Sequence, residues 1–124
     1  MIRSRRLFGV VCVLVLAIAV PGATAIRTTT FYGCTFTVES SHDNLYVFTL
    51  TEEEDPGCYT GDNVIAAGKW IYQNEEYSFQ TPSEPNAVIG RIPKVVVSYY
   101  YGRGKARTAA YYGWSPFTAW QGES

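Results

Sequence analysis

The stretch Lys94–Gly113, KVVVSYYYGRGKARTAAYYG, decides the fold. It reads as a long β-hairpin: an apolar strand, a four-residue tip of Gly102-Arg103-Gly104-Lys105, and a returning strand. Tight hairpin turns need positive φ, which glycine adopts without steric cost, so two glycines suit the tip. The same four residues invite comparison with phosphate-binding loops and fail it. A P-loop needs glycine five residues before the Gly104-Lys105 pair, where Tyr99 stands, and a dinucleotide fingerprint needs glycine at position 107, which is Arg107.

The hairpin concentrates tyrosine and positive charge. Tyr99, Tyr101, Arg103, Lys105, Arg107, Tyr111 and Trp114 are the candidate binding residues, because arginine and aromatic side chains are enriched at interface hot spots. Successive strand side chains point to opposite faces, so about half of these rings face away from any one core. They are covered by the rest of the chain or they form a binding face.

Working outward, the remaining segments read as shorter strands. Thr28–Glu39 is rich in Thr, Phe, Tyr and Val, with Cys34, Phe36 and Val38 on one face and Gly33 marking a bulge or a close backbone approach. Residues 40–44 (SSHDN) form a turn, and Leu45–Thr51 a second strand with Tyr46, Phe48 and Leu50 on the core face. Thr51–Asp62 is an acidic loop punctuated by Pro56-Gly57. Val64–Ala67 is a short apolar piece of either type. Residues 70–72 and 77–81 form a second hairpin, Ala87–Ile92 a further strand broken by Pro93, and Trp114–Trp120 an irregular end. With no sustained helical period and turn signals every eight to twelve residues, the expected fold is an all-β antiparallel sandwich or small barrel of about six to seven strands.

Residues 1–25 carry the marks of an export signal: Arg3, Arg5 and Arg6, an apolar run from Leu7 to Val20, and Ala23-Thr24-Ala25 as cleavage pattern. The apolar run is short of the ~20 residues a spanning helix needs, so no membrane span is expected. Cleavage would leave residues 26–124 as a single secreted domain with seven basic and eleven acidic residues, a net charge of −4. The charge is uneven, −8 through Glu84 and +4 from Pro85 onward. Such asymmetry either steers a charged partner or is satisfied internally, acidic strands against basic ones. Cys34 and Cys58 remain after cleavage, an even pair expected to be disulfide-bonded in an oxidising compartment.

No residue set points to catalysis. His42, with Asp43 or Glu39, lies in or beside a turn, and a single histidine supplies no triad. The run Glu52–Asp55 with Asp62 lacks the alternate spacing of an EF-hand and reads as a solvated loop. No cofactor, metal or nucleic-acid partner is expected.

A signal peptide, one disulfide with Cys34 in the first strand, and about a hundred β-rich residues resemble the small one-disulfide β-sandwich effectors of plant-pathogenic fungi (the MAX type). The two cysteines stand closer together here than is usual in that group. The resemblance implies a non-enzymatic protein that binds a protein of another organism, a host or a competitor, by surface complementarity. A secreted antimicrobial or toxin-like protein, and a small enzyme inhibitor presenting the tethered loop Thr51–Asp62, are the alternatives. Charge reversal at Arg103 and Lys105, taken as an exposed tip, is expected to weaken binding and leave stability almost unchanged.

Overall fold

The structure, a computed structural model, describes residues 24–111 and 113–123, so the expected export signal lies outside the described residues except for Thr24 and Ala25. The strands are β1 (Ala25–Phe31), β2 (Cys34–His42), β3 (Tyr46–Glu53), β4 (Asp62–Tyr72), β5 (Glu75–Gln80), β6 (Glu84–Pro85), β7 (Ala87–Pro93), β8 (Tyr99–Ala106) and β9 (Gln121–Glu123). All pair antiparallel, in two sheets: β1-β2-β3-β7, and β5-β4-β8-β9 with β6 beside β4. The chain is therefore all-β as expected, with nine strands among the described residues where six or seven were anticipated.

The extra strands come from turns that composition conceals. Thr28–Glu39 is two strands, because Tyr32 (φ 45°) and Gly33 (φ 84°) are both left-handed. Two such residues make a turn whose twist matches the flanking strands. Gly33 therefore closes a hairpin in which Phe31 faces Cys34, and marks no bulge. Gln73 and Asn74, also left-handed, turn β4 into β5, so the expected hairpin forms with a tighter turn than residues 73–76, Glu75 and Glu76 already pairing in β5. Val64–Ala67 is the centre of β4, an eleven-residue strand in the middle of the second sheet.

The long hairpin does not form. Lys94–Val96 is a single 3-10 turn, and β8 runs straight through the supposed tip. Its residues alternate without interruption: Tyr100, Gly102, Gly104 and Ala106 are buried, while Tyr101, Arg103, Lys105 and Arg107 are half-buried on the other face. Neither glycine has a positive φ. A side chain, not a turn, is what these positions cannot accept. A Cβ at Gly102 would overlap the hydroxyls of Thr49 and Ser40, and one at Gly104 the hydroxyl of Thr51. The two sheets approach so closely here that only hydrogen atoms fit on the β8 side.

That approach also inverts β3. Val47, Thr49 and Thr51 are buried, and Tyr46, Phe48 and Leu50 face outward, half-exposed. Opposite two glycines there is room for threonine but not for an aromatic ring. The Thr49 hydroxyl instead bonds the buried phenol of Tyr100. The interior is accordingly divided. One end is apolar, built from Cys34, Phe36, Val38, Cys58, Val64 and Ala106 with Val88 against it. The other is lined by Ser40, Thr49, Gly102 and Tyr100.

The Cys34–Cys58 disulfide (S–S 1.99 Å) fastens the first residue of β2 to the loop after β3. That loop is itself bridged to the end of β8, where Cys58 pairs with Thr108, so the bond clamps the two sheets at the apolar end. The Thr108 hydroxyl donates to the carbonyl of Tyr32 at 2.7 Å, adding a polar tie at the same place.

Gly102→Ala is expected to destabilise the fold by about 1–3 kcal/mol through overpacking, read from urea unfolding; a neutral result would show that the gap between the sheets accepts a methyl group. Replacing both cysteines with alanine should cost about 3.5 kcal/mol on the chain-entropy estimate for a loop of this length, measured in the same assay.

Candidate binding face

The outward side chains of β8 meet the C-terminal segment that lies beside it. Residues 114–120 have no regular strand, yet they run antiparallel to β8 down to β9. The Ser115 N–H donates to Ala106 O (2.8 Å) and the Thr118 N–H to Gly104 O (2.9 Å). In return, the N–H groups of Ala106 and Gly104 donate to the side-chain hydroxyls of Ser115 (3.1 Å) and Thr118 (3.2 Å). Hydroxyls replace backbone carbonyls, so the segment spends three residues where β8 spends two. Trp114-Ser115-Pro116, Phe117-Thr118-Ala119 and Trp120-Gln121-Gly122 repeat as aromatic, polar, small.

This step of three sets one ring between each pair of β8 cations. Arg107 lies 4.0 Å from the Tyr59 ring centroid and 5.9 Å from that of Trp114. Lys105 follows, at 5.4 Å from Trp114 and 4.7 Å from Phe117. The Arg103 guanidinium is 4.2 Å from both Phe117 and Trp120. Lys69 of β4 completes the ladder, at 4.7 Å from Trp120 and 5.7 Å from Tyr101. A cation over an aromatic face within about 6 Å gains roughly 0.5–1 kcal/mol at exposed sites and more when desolvated. The Nε of Arg103 is buried and has no hydrogen-bond partner among the described residues.

Beside the ladder, the outer face of β4 from Ala67 to Ile71 borders two cavities. A cavity of about 300 Å³ is lined by Lys69, Ile71, Glu76, Tyr101, Trp120 and Gly122. A second, of about 450 Å³, is lined by Ala67, Lys69, Glu76, Ser78, Phe79, Gln80, Arg103 and Trp120. Sharing Lys69, Glu76 and Trp120, they form one trough along β4. One wall carries Arg103, Tyr101 and Trp120, and the other carries Glu76, Ser78 and Gln80 from β5.

Of the residues marked out from sequence, Tyr101, Arg103, Lys105, Arg107 and Trp114 come together in the ladder. Tyr99 shares their face of β8 and is 52% exposed. Tyr111 does not join them. It stacks on Tyr32 (4.6 Å, planes 1° apart) and touches Phe31 edge-on, at the turn between β1 and β2. Lys69, Phe117, Trp120 and the β5 wall went unrecognised. The three-residue repeat at the C-terminus was the available signal for the two rings.

The other candidates are engaged elsewhere. The Asp43 carboxylate accepts the N–H groups of Leu45 and Tyr46, both at 2.8 Å, and these bonds lower its pKa. His42 ends β2, opposite Val47. In the acidic run, the Thr37 hydroxyl donates to Glu54 (2.9 Å), and the Asn63 amide to Glu53 (3.3 Å). Asp55 is held below the usual carboxylate range by the Thr35 side chain and the Gly57 N–H. No group of three or more metal-ligating side chains occurs among the described residues, and no helix there is long and apolar enough to cross a membrane.

Compared with protein families, curated proteins and solved structures, the chain matches none.

Two outcomes follow. Arg103→Gln should lower stability by about 1–2 kcal/mol, two cation–ring contacts at roughly 0.5–1 kcal/mol each; charge reversal there is thus not the silent change expected of an exposed tip. A carboxylate whose pKa is lowered on folding stabilises the protein above its ordinary value of 3.8, and that contribution is lost as pH falls through the lower folded value. Asp55→Ala should therefore melt below the wild type at pH 7, and the gap should close on acidification below 3.8; a gap independent of pH would assign the effect to packing.

Proposed function

We propose that this is a secreted, non-enzymatic binding protein that engages a protein of another organism through the ladder and its trough. The observation that carries this reading is the concentration of Lys69, Arg103, Lys105 and Arg107 on one face, each set against one or two aromatic rings. A cation held by an aromatic face keeps its charge. Three of the five basic residues from Pro85 onward thus share one face with Lys69. Complementary charge of this kind sets partner choice and encounter rate more than raw affinity.

Export is supported by the features of residues 1–25 and by the Cys34–Cys58 disulfide, which is compatible with an extracellular location. Two of the acids, Asp43 beside His42 and Asp55, are poorly suited to act as a general acid. Asp43 and Asp55 are tied to neighbouring backbone or hydroxyl groups and shifted away from the pKa a general acid at neutral pH requires. The resemblance to one-disulfide effectors read from the sequence points to a host protein as the partner, although Cys34 opens the second strand and not the first.

The test is capture from host extract by the disulfide-bonded protein and two variants. Lys69→Glu with Lys105→Glu should lose the specific partner. Arg91→Glu, which changes a cation stacked on Tyr46 in the other sheet, should keep it. Equal capture by all three removes the ladder from the function. Growth inhibition of microbes, or inhibition of a protease or amylase, with no such partner would instead favour the toxin or the inhibitor.

A further inference from the structure

The cations of the ladder do more than sum to a positive patch, because β8 sets them on a regular spacing. Arg103, Lys105 and Arg107 are alternate residues of one extended run, so their stems repeat every ~6.7 Å, twice the rise of a strand residue. Any extended peptide lying along β8 has the same repeat in its own alternate side chains. A helical acidic segment repeats every ~5.4 Å turn and drifts out of step within two turns. The direction is also set. The trough follows Ala67–Ile71 of β4, which pairs residue for residue with Tyr99–Arg103 of β8, so it continues the line of β8 alongside the Arg103 end of the ladder.

The chemistry at Arg103 and Lys105 fits a carboxylate. The Arg103 guanidinium lies 4.2 Å from the centroids of both Phe117 and Trp120 with its Nε buried, so its terminal nitrogens are the groups left to pair with a carboxylate, as arginine commonly does. Partial burial strengthens such a pair relative to one in open water. A single carboxylate, Glu76, stands on the far wall of the trough and keeps an acidic ligand on the ladder side.

We infer that the ladder takes an extended acidic segment of the partner, with acidic side chains at every second position. This rests on the binding reading above and specifies the partner's form. Two capped heptapeptides of one composition separate register from charge: Thr-Glu-Thr-Glu-Thr-Glu-Thr and Thr-Thr-Glu-Glu-Glu-Thr-Thr. Binding to the intact disulfide-bonded protein is followed by tryptophan fluorescence, to which Trp120 and Trp114 should respond, and by calorimetry. The alternating peptide should bind about tenfold more tightly, the factor that 1.4 kcal/mol confers. Lys105→Gln should reduce that ratio toward one, with its melting curve showing that it is folded. Equal affinities, or no binding of either peptide, overturn the inference. Retained, ladder-dependent capture of a whole partner beside equal peptide affinities would sink the extended segment and leave the binding reading intact.

Discussion

The structure depends on how closely β8 approaches the first sheet. Sheets normally pack about 10 Å apart with side chains from both filling the gap. Here Gly102 and Gly104 contribute none, so the Thr49, Thr51 and Ser40 side chains of β2 and β3 reach the β8 backbone. The glycines fix which face of β8 is inside. By strict alternation, every cation of the segment then lies outside. The polar half of the core, the inverted face of β3 and the positive outer surface are thus consequences of one contact.

Much of this was legible in the sequence, though not its central strand. β-rich composition, the absence of a helical period and the cysteine pair pointed to an all-β, disulfide-bonded chain. The Gln73-Asn74 turn and the strand ending at Pro93 were also readable. The misreading of β8 has a definite cause. Glycine serves both turns and close backbone approach, and Gly102-Arg103-Gly104-Lys105 carries the marks of the first use. What separates the two is the partner surface, and that lies some fifty residues away in Thr49 and Thr51. Tyr46, Phe48 and Leu50 misled for the same reason: bulk suits a core only where the opposite strand leaves space.

The binding residues divide along a similar line. Arg103, Lys105, Arg107, Tyr101 and Trp114 could be picked from sequence because charge and rings are local properties of one segment. Tyr111 belonged to the same segment but left it at the turn beyond Thr108. Lys69 and the wall residues Glu76, Ser78 and Gln80 were hidden because only strand pairing brings β4 and β5 to the same face. Phe117 and Trp120 sit in a step of three that a search for helical or two-residue periods passes over.

The hydroxyl substitutions along residues 114–120 have one more effect. A regular strand at the border of a sheet offers a row of free N–H and C=O groups on which another chain can pair, and aggregation begins at such borders. Beside β8 the border is broken every third residue. Pro116 has no N–H to offer, and Ser115 and Thr118 turn their hydroxyls toward β8 in place of a regular ladder. At the opposite border, β5 carries Glu75 and Glu76, where charge discourages a second copy. The segment that orients the cations also caps the second sheet, so a protein with a long, ring-rich surface is guarded against polymerising through it.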